Sequence, residues 1–156
     1  MTSQVPAAMM DGAAATAGEQ QVVLCELAGE LYGVDIARVE EIIRLPEITR
    51  VPRAPHAVEG VINLRGTVIP VVDLRQVLGL RLTEATKSSR VVVVEVGAHT
   101  IGMIVDAVTE VLRVPASAVE PPSAVVTDLD TTYLRGIAKL DGRLVMLLDL
   151  ERALDV

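Results

Sequence analysis

Tryptophan and phenylalanine are absent from the 156 residues, and tyrosine occurs only twice. Small barrels that bind nucleic acid stack bases on exposed aromatic rings. The composition supplies almost no such rings. The net charge of −7 points the same way, because phosphate binding needs clustered Lys and Arg. One cysteine, Cys25, rules out an intramolecular disulfide. It lies inside a strand pattern with no nearby His to activate it, so it reads as a small apolar packing residue. The two histidines, His56 and His99, are far apart in loop or turn contexts. They suggest neither a metal site nor a catalytic one. No apolar run is long enough to span a bilayer, since Asp106 and Asp149 break the best candidates. No basic segment precedes an apolar stretch near residue 1, so no secretory signal is expected. A cytoplasmic protein without direct membrane insertion is the expectation.

The chain does have Val, Ile and Leu in quantity, within a hydrophobic fraction of 51%. That suits strands with buried faces. The organising stretch is 58–74, V-E-G-V-I-N-L-R-G-T-V-I-P-V-V-D-L. Its two β-branched runs flank Arg65-Gly66, where Gly66 tolerates the positive φ of a tight turn. The pattern predicts a strand at 59–64, a turn, and a strand at 67–73. Pro70 lacks a donor and is expected at an edge or a bulge. Asp73 is expected to N-cap a short helix from Leu74 to Leu78.

The stretch recurs without a gap. Residues 135–150 match 59–74 at a shift of 136 − 60 = 76, and the turn becomes Asp141-Gly142. The upstream segment 22–46 recurs as 91–115 at a shift of 102 − 33 = 69. A long period repeated only twice indicates two related β modules. Strands are expected near 21–28, 31–37 and 38–45, and again near 90–96, 99–105 and 107–114. Residues 46–58 and 115–131 read as loops, and 79–89 as a linker. The fold class is all-β: two five-strand modules, each sufficient for a small closed barrel, with a short helix after each hairpin. The expected boundaries are a disordered tail at 1–19 and one unit at 20–156. Within that unit, the first barrel is placed at about 21–80 and the second at about 90–154.

No polar constellation supports an enzyme. The glycines follow hairpin spacing rather than that of a phosphate-cradling loop. Asp73 and Asp149 read as caps. No cofactor is called for. A barrel binding RNA or ribosomal protein is the alternative, but it would need the basic, aromatic face missing here. An interaction module remains, because small barrels present edges and grooves to partner strands or helices.

Several ordered motifs carry a resemblance. G-V-I-N-L-R-G at 60–66, I-P-V-V-D-L at 69–74, Y-G-V-D-I-A-R-V-E-E-I-I at 32–43, G-M-I-V-D-A-V at 102–108 and L-D-L at 148–150 are together similar to the CheW family of chemotaxis coupling proteins. The resemblance covers roughly 20–154. It implies two SH3-like barrels and an adaptor without catalytic activity. Such an adaptor is recruited to membrane-associated arrays. There it links the cytoplasmic tip of methyl-accepting chemoreceptors to the regulatory domain of the histidine kinase CheA. The resemblance places the receptor tip in a groove between the barrels and the kinase at the barrel ends. By position it implies interaction roles for Glu41 and Arg65, as an ion pair, with Gly66 beside them. It also implies groove-lining roles for Val39, Ile42, Val105 and Val108. The pair is expected to be partly exposed at its hairpin tip. In the second copy the matching residues are Glu110 and Asp141, which carry like charges.

Overall fold

The structure is a computed structural model that describes residues 18–55, 58–82, 84–122 and 133–154. Most of the expected tail, His56 and the later part of the 115–131 loop lie outside those residues. The chain runs β1 (Glu19–Leu27), β2 (Glu30–Asp35), a 3-10 turn at Ile36–Arg38, β3 (Val39–Arg44), β4 (Val58–Leu64), β5 (Thr67–Asp73) and α1 (Leu74–Val77). It continues with β6 (Arg90–Val96), β7 (His99–Val105), β8 (Ala107–Pro115), a 3-10 turn at Ala116–Ala118 and β9 (Val119–Glu120). It ends with β10 (Leu134–Leu140), β11 (Arg143–Leu148) and α2 (Leu150–Ala153). The segment 38–45 is therefore strand for most of its length. The stretch 115–131, expected as loop, contributes a short strand, β9.

Two sheets form, one of six strands in the order β8-β1-β2-β11-β10-β9 and one of five in the order β3-β6-β7-β5-β4. The expected split at about 21–80 and 90–154 does not hold. Each sheet joins the first two strands of one copy to the remaining strands of the other, three in the five-stranded sheet and, with the extra β9, four in the six-stranded one. The registers are equivalent: Leu147 lies opposite Gly33, and Val71 opposite Gly102. The two links between β2 and β3 and between β7 and β8 account for the exchange. β2 passes into β3 through a three-residue turn, and β7 into β8 through Asp106 alone. The single residue Asp106 is too short for β8 to fold back beside the hairpin it leaves, and at Ile36–Arg38 the 3-10 turn redirects β3 without reversing it. The strand bends and continues into the other sheet.

The apolar runs V-V-L-C and V-V-V-V follow from this packing, because strands covered on both faces read as continuous hydrophobic stretches. Val22 and Leu24 face the interior of the six-stranded sheet, and Val91 and Val93 that of the five-stranded one. Their neighbours Val23, Cys25, Val92 and Val94 face the core between the sheets.

The hairpin turns form as expected. Arg65 and Gly66 have φ of 51° and 85°, and Asp141 and Gly142 have 50° and 75°. Both central residues of each turn are thus left-handed, as a type I′ turn requires. Pro70 sits at a locally unpaired edge, as expected, although β5 as a whole is not an edge strand. β5 pairs with both β4 and β7. Opposite Pro70, Val61 turns its N–H and C=O to Thr49 instead of β5, at 2.8 and 2.9 Å. Pro70 nitrogen therefore points toward β7, and that ladder begins only at Val71.

The same bridge constrains Gly60. A methyl there would overlap the Thr49 carbonyl oxygen that Val61 N–H uses. At the matching Gly136 an added methyl would come 2.7 Å from a side-chain methyl of Val119, and that methyl can shift. Gly60→Ala is expected to lose about 2–3 kcal/mol in chemical denaturation, and Gly136→Ala less than half of that. Equal losses would show that the bridge to Thr49 is not the constraint.

Candidate interaction surface

Glu41 is buried although it is charged, and a bulge explains why. The β3–β6 register shifts between Val39 and Glu41. One extra residue reverses the alternation of faces. Val39 and Ile42 consequently share the core between the sheets, while Ile43 lies in the core of the five-stranded sheet. Glu41, two residues before Ile43, falls on that same face. Its Oε1 accepts a hydrogen bond from Nη2 of Arg65. Its Oε2 is buried and has no hydrogen-bond partner among the described residues. Arg65 itself stands out at the hairpin tip, where Asn63 Oδ1 accepts from Gly66 N at 2.8 Å and fixes the turn.

Glu41 and Arg65 are thus brought together, but the pair is unequal. The Glu41 side chain is 6% exposed and that of Arg65 is 61%. The expectation of a partly exposed pair holds for the guanidinium alone. Three of the four expected groove residues are corrections too. Val39, Ile42 and Val105 are buried in the core between the sheets, and Val108 is half-buried against it. The bulge brings Val39 and Ile42 onto one inward face, leaving neither on the surface. The accessible apolar side chains lie elsewhere. Val68 and Leu144, 63% and 48% exposed, occupy matching positions beside the two hairpin turns.

In the second copy, Glu110 is paired with Arg143 at 3.7 Å rather than set against Asp141. Arg143 lies two residues past Asp141, so a cation serves this site from a neighbouring rung.

Sequence reasoning identified Asp73 as a cap but missed what it holds. Asp73 Oδ1 accepts from Arg75 N at 3.0 Å, as the cap of α1. It also accepts from Arg75 Nε at 3.1 Å, and Oδ2 accepts from Nη2 at 2.9 Å. Arg75 Nη1 reaches Asp106 Oδ1 at 3.1 Å, and Asp106 Oδ2 accepts from Ala28 N at 2.8 Å. The hydrogen bond to Asp73, aided by the charges of Asp73 and Asp106, raises the Arg75 pKa although burial opposes it. The matching position in the second copy is Glu151, on α2. It accepts from Arg38, and that hydrogen bond holds its carboxyl below the usual carboxylate range. Opposite charges at matching positions, Arg75 and Glu151, were the available signal.

Burial pushes the Cys25 thiol up to about 12, so it stays protonated and is no nucleophile at neutral pH. No cluster of three or more His, Cys, Asp or Glu able to hold a metal occurs among the described residues. No helix among them is long and apolar enough to cross a membrane.

The sheet topology and these motifs match one family. Residues 21–156 fit the CheW-like domain. The chain belongs to the CheW-like family. Its similarity to the chemotaxis protein CheW of Klebsiella aerogenes is 34% identity over 135 residues, 86% of this chain and 81% of that one. The CheW of Thermotoga maritima is 34% identical over 137 residues, 88% of this chain and 89% of that one. Among solved structures, the scaffolding protein TtCheW from Thermoanaerobacter tengcongensis superposes with a TM-score of 0.81 at 40% identity. That match covers 88% of this chain and 93% of the other. The two sheets are thus the paired SH3-like units of a CheW-like scaffold. The family role, scaffolding in chemotaxis, is that of an adaptor.

Proposed function

We propose that the chain couples methyl-accepting chemoreceptors to the histidine kinase CheA, as a non-catalytic adaptor in cytoplasmic arrays recruited to the membrane. The observation that carries this reading is the family match across 21–156, shared with relatives named as chemotaxis and scaffolding proteins. The buried Glu41 held by an exposed Arg65 supports it at the level of a site. A charge kept at a protein surface by a desolvated partner offers a partner protein an oriented guanidinium. In this reading Arg65, Gly66 and Val108 contact a partner, and Glu41 orients Arg65. Val39, Ile42 and Val105 support that surface from below.

The test is direct binding of the purified chain to a CheA regulatory domain and to a receptor-tip helical hairpin. Micromolar binding to both is expected, with no nucleotide turnover. Failure to bind either partner at that concentration would end the coupling assignment.

A further inference from the structure

The pseudo-symmetry places an ion pair at each end of the seam between the sheets, and the two ends differ in every respect that governs rigidity. At one end Asp106 alone connects β7 to β8. Its N–H donates to Glu26 O at 3.0 Å, in β1, and its carboxylate accepts from Ala28 N at 2.8 Å, in the turn that follows β1. Arg75, on the helix that follows the five-stranded sheet, completes the link at 3.1 Å. The Arg75 side chain is 8% exposed. At the other end the connection is the turn Ile36–Arg38. Arg38 pairs with Glu151, and both side chains stand in solvent. Its second contact, Nη1 to Glu95 O, is long at 3.5 Å. Glu95 matches Glu26, so the two ends use the same backbone acceptor with reversed charge. A cavity of about 380 Å³, walled by Pro70, Ile101 and Leu154, opens beside Glu151 at this end.

We infer that the two barrels hinge at the Asp73–Arg75–Asp106 end and that Arg38–Glu151 is a releasable latch at the other. At the hinge end a buried Arg75 meets an Asp106 that is 29% exposed but also held by Ala28 N and Glu26 O. Such convergent hydrogen bonds resist separation, whereas a pair exposed on both sides gains little and is screened by salt. Releasing the latch loosens the seam around the 380 Å³ cavity and leaves the hinge end in register.

Spin-label distance measurements test this in the full chain. One pair of introduced cysteines, His99→Cys with Arg152→Cys, spans the latch end. The other, Glu30→Cys with Gln76→Cys, spans the hinge end. Cys25 is buried, and its thiol is pushed up to about 12, so it stays unlabelled. Arg38→Ala is expected to lengthen and broaden the 99–152 distribution while leaving 30–76 unchanged. Its Tm should fall by no more than about 4 °C. Raised salt should act in the same direction as Arg38→Ala. The charge-exchanged double variant, Arg38→Glu with Glu151→Arg, should restore the narrow distribution. An unchanged 99–152 distribution in Arg38→Ala, or equal broadening at both ends, overturns the inference.

Discussion

Arg75→Met is expected to cost about 3–5 kcal/mol of folding stability, the range for breaking a buried ion pair. Arg75 and Asp73 are both buried, with side chains 8% and 9% exposed. Removing the guanidinium takes three donors from Asp73 and Asp106. Among the described residues, the Asp73 carboxylate would keep only its cap to the backbone N–H of residue 75. Most of the loss is the cost of that stranded charge, so it should be recoverable. Adding Asp73→Asn removes the charge, and the new amide oxygen can still cap α1. The double variant is expected to regain more than half of the lost stability in urea denaturation. Arg38→Ala, at the exposed counterpart, should lose no more than about 1 kcal/mol. If Arg75→Met and Arg38→Ala lose equal amounts, the burial of the Arg75 network carries no energetic weight.

That contrast shows what could be read from the sequence and what could not. Arg65-Gly66 and Asp141-Gly142 announced their hairpins because a type I′ turn admits few residue pairs. Asp73 announced a helix start for an equally local reason. The repeat showed that two sets of five strands are equivalent, but equivalence does not say which copy a strand pairs with. Val71 can lie beside Gly102 or beside its own copy's Gly33 with the same chemistry, and it pairs with Gly102. The choice was made by the short links at Ile36–Arg38 and Asp106, whose geometry no composition signal carries. The resemblance located the site, but nothing in the sequence showed its burial. The resemblance paired Glu41 with Arg65 correctly, yet the bulge after Val39 was not legible, because the doublets Glu40-Glu41 and Ile42-Ile43 fit a helix as well as an interrupted strand. That one extra residue turned Glu41 inward and carried Val39 and Ile42 into the core.

The inward turn of Glu41 sets the outcome of the Arg65→Glu variant. A wholly exposed pair would cost no more than about 1 kcal/mol to break. Here the carboxylate left behind is desolvated, and its Oε2 already lacks a partner among the described residues. Arg65→Glu is therefore expected to lose about 2–3 kcal/mol, while the chain remains folded at 25 °C. Receptor-coupled activation of CheA should fall at least tenfold, because the variant removes the oriented cation and leaves a second carboxylate beside the first. The exchange Glu41→Arg with Arg65→Glu should restore little, since a longer guanidinium does not fit the buried position that a carboxylate fills. The informative partner is Glu41→Gln, which keeps the shape and removes the charge. Combined with Arg65→Ala, it should recover most of the stability, because no charge remains buried. Kinase coupling in that double variant then separates two roles for Arg65. Coupling that returns with stability means Arg65 acts only by neutralising Glu41. Coupling that stays low in a stable protein means the guanidinium itself meets the partner, as the proposed function requires. Thermal melts and kinase activation on the same four proteins decide between them.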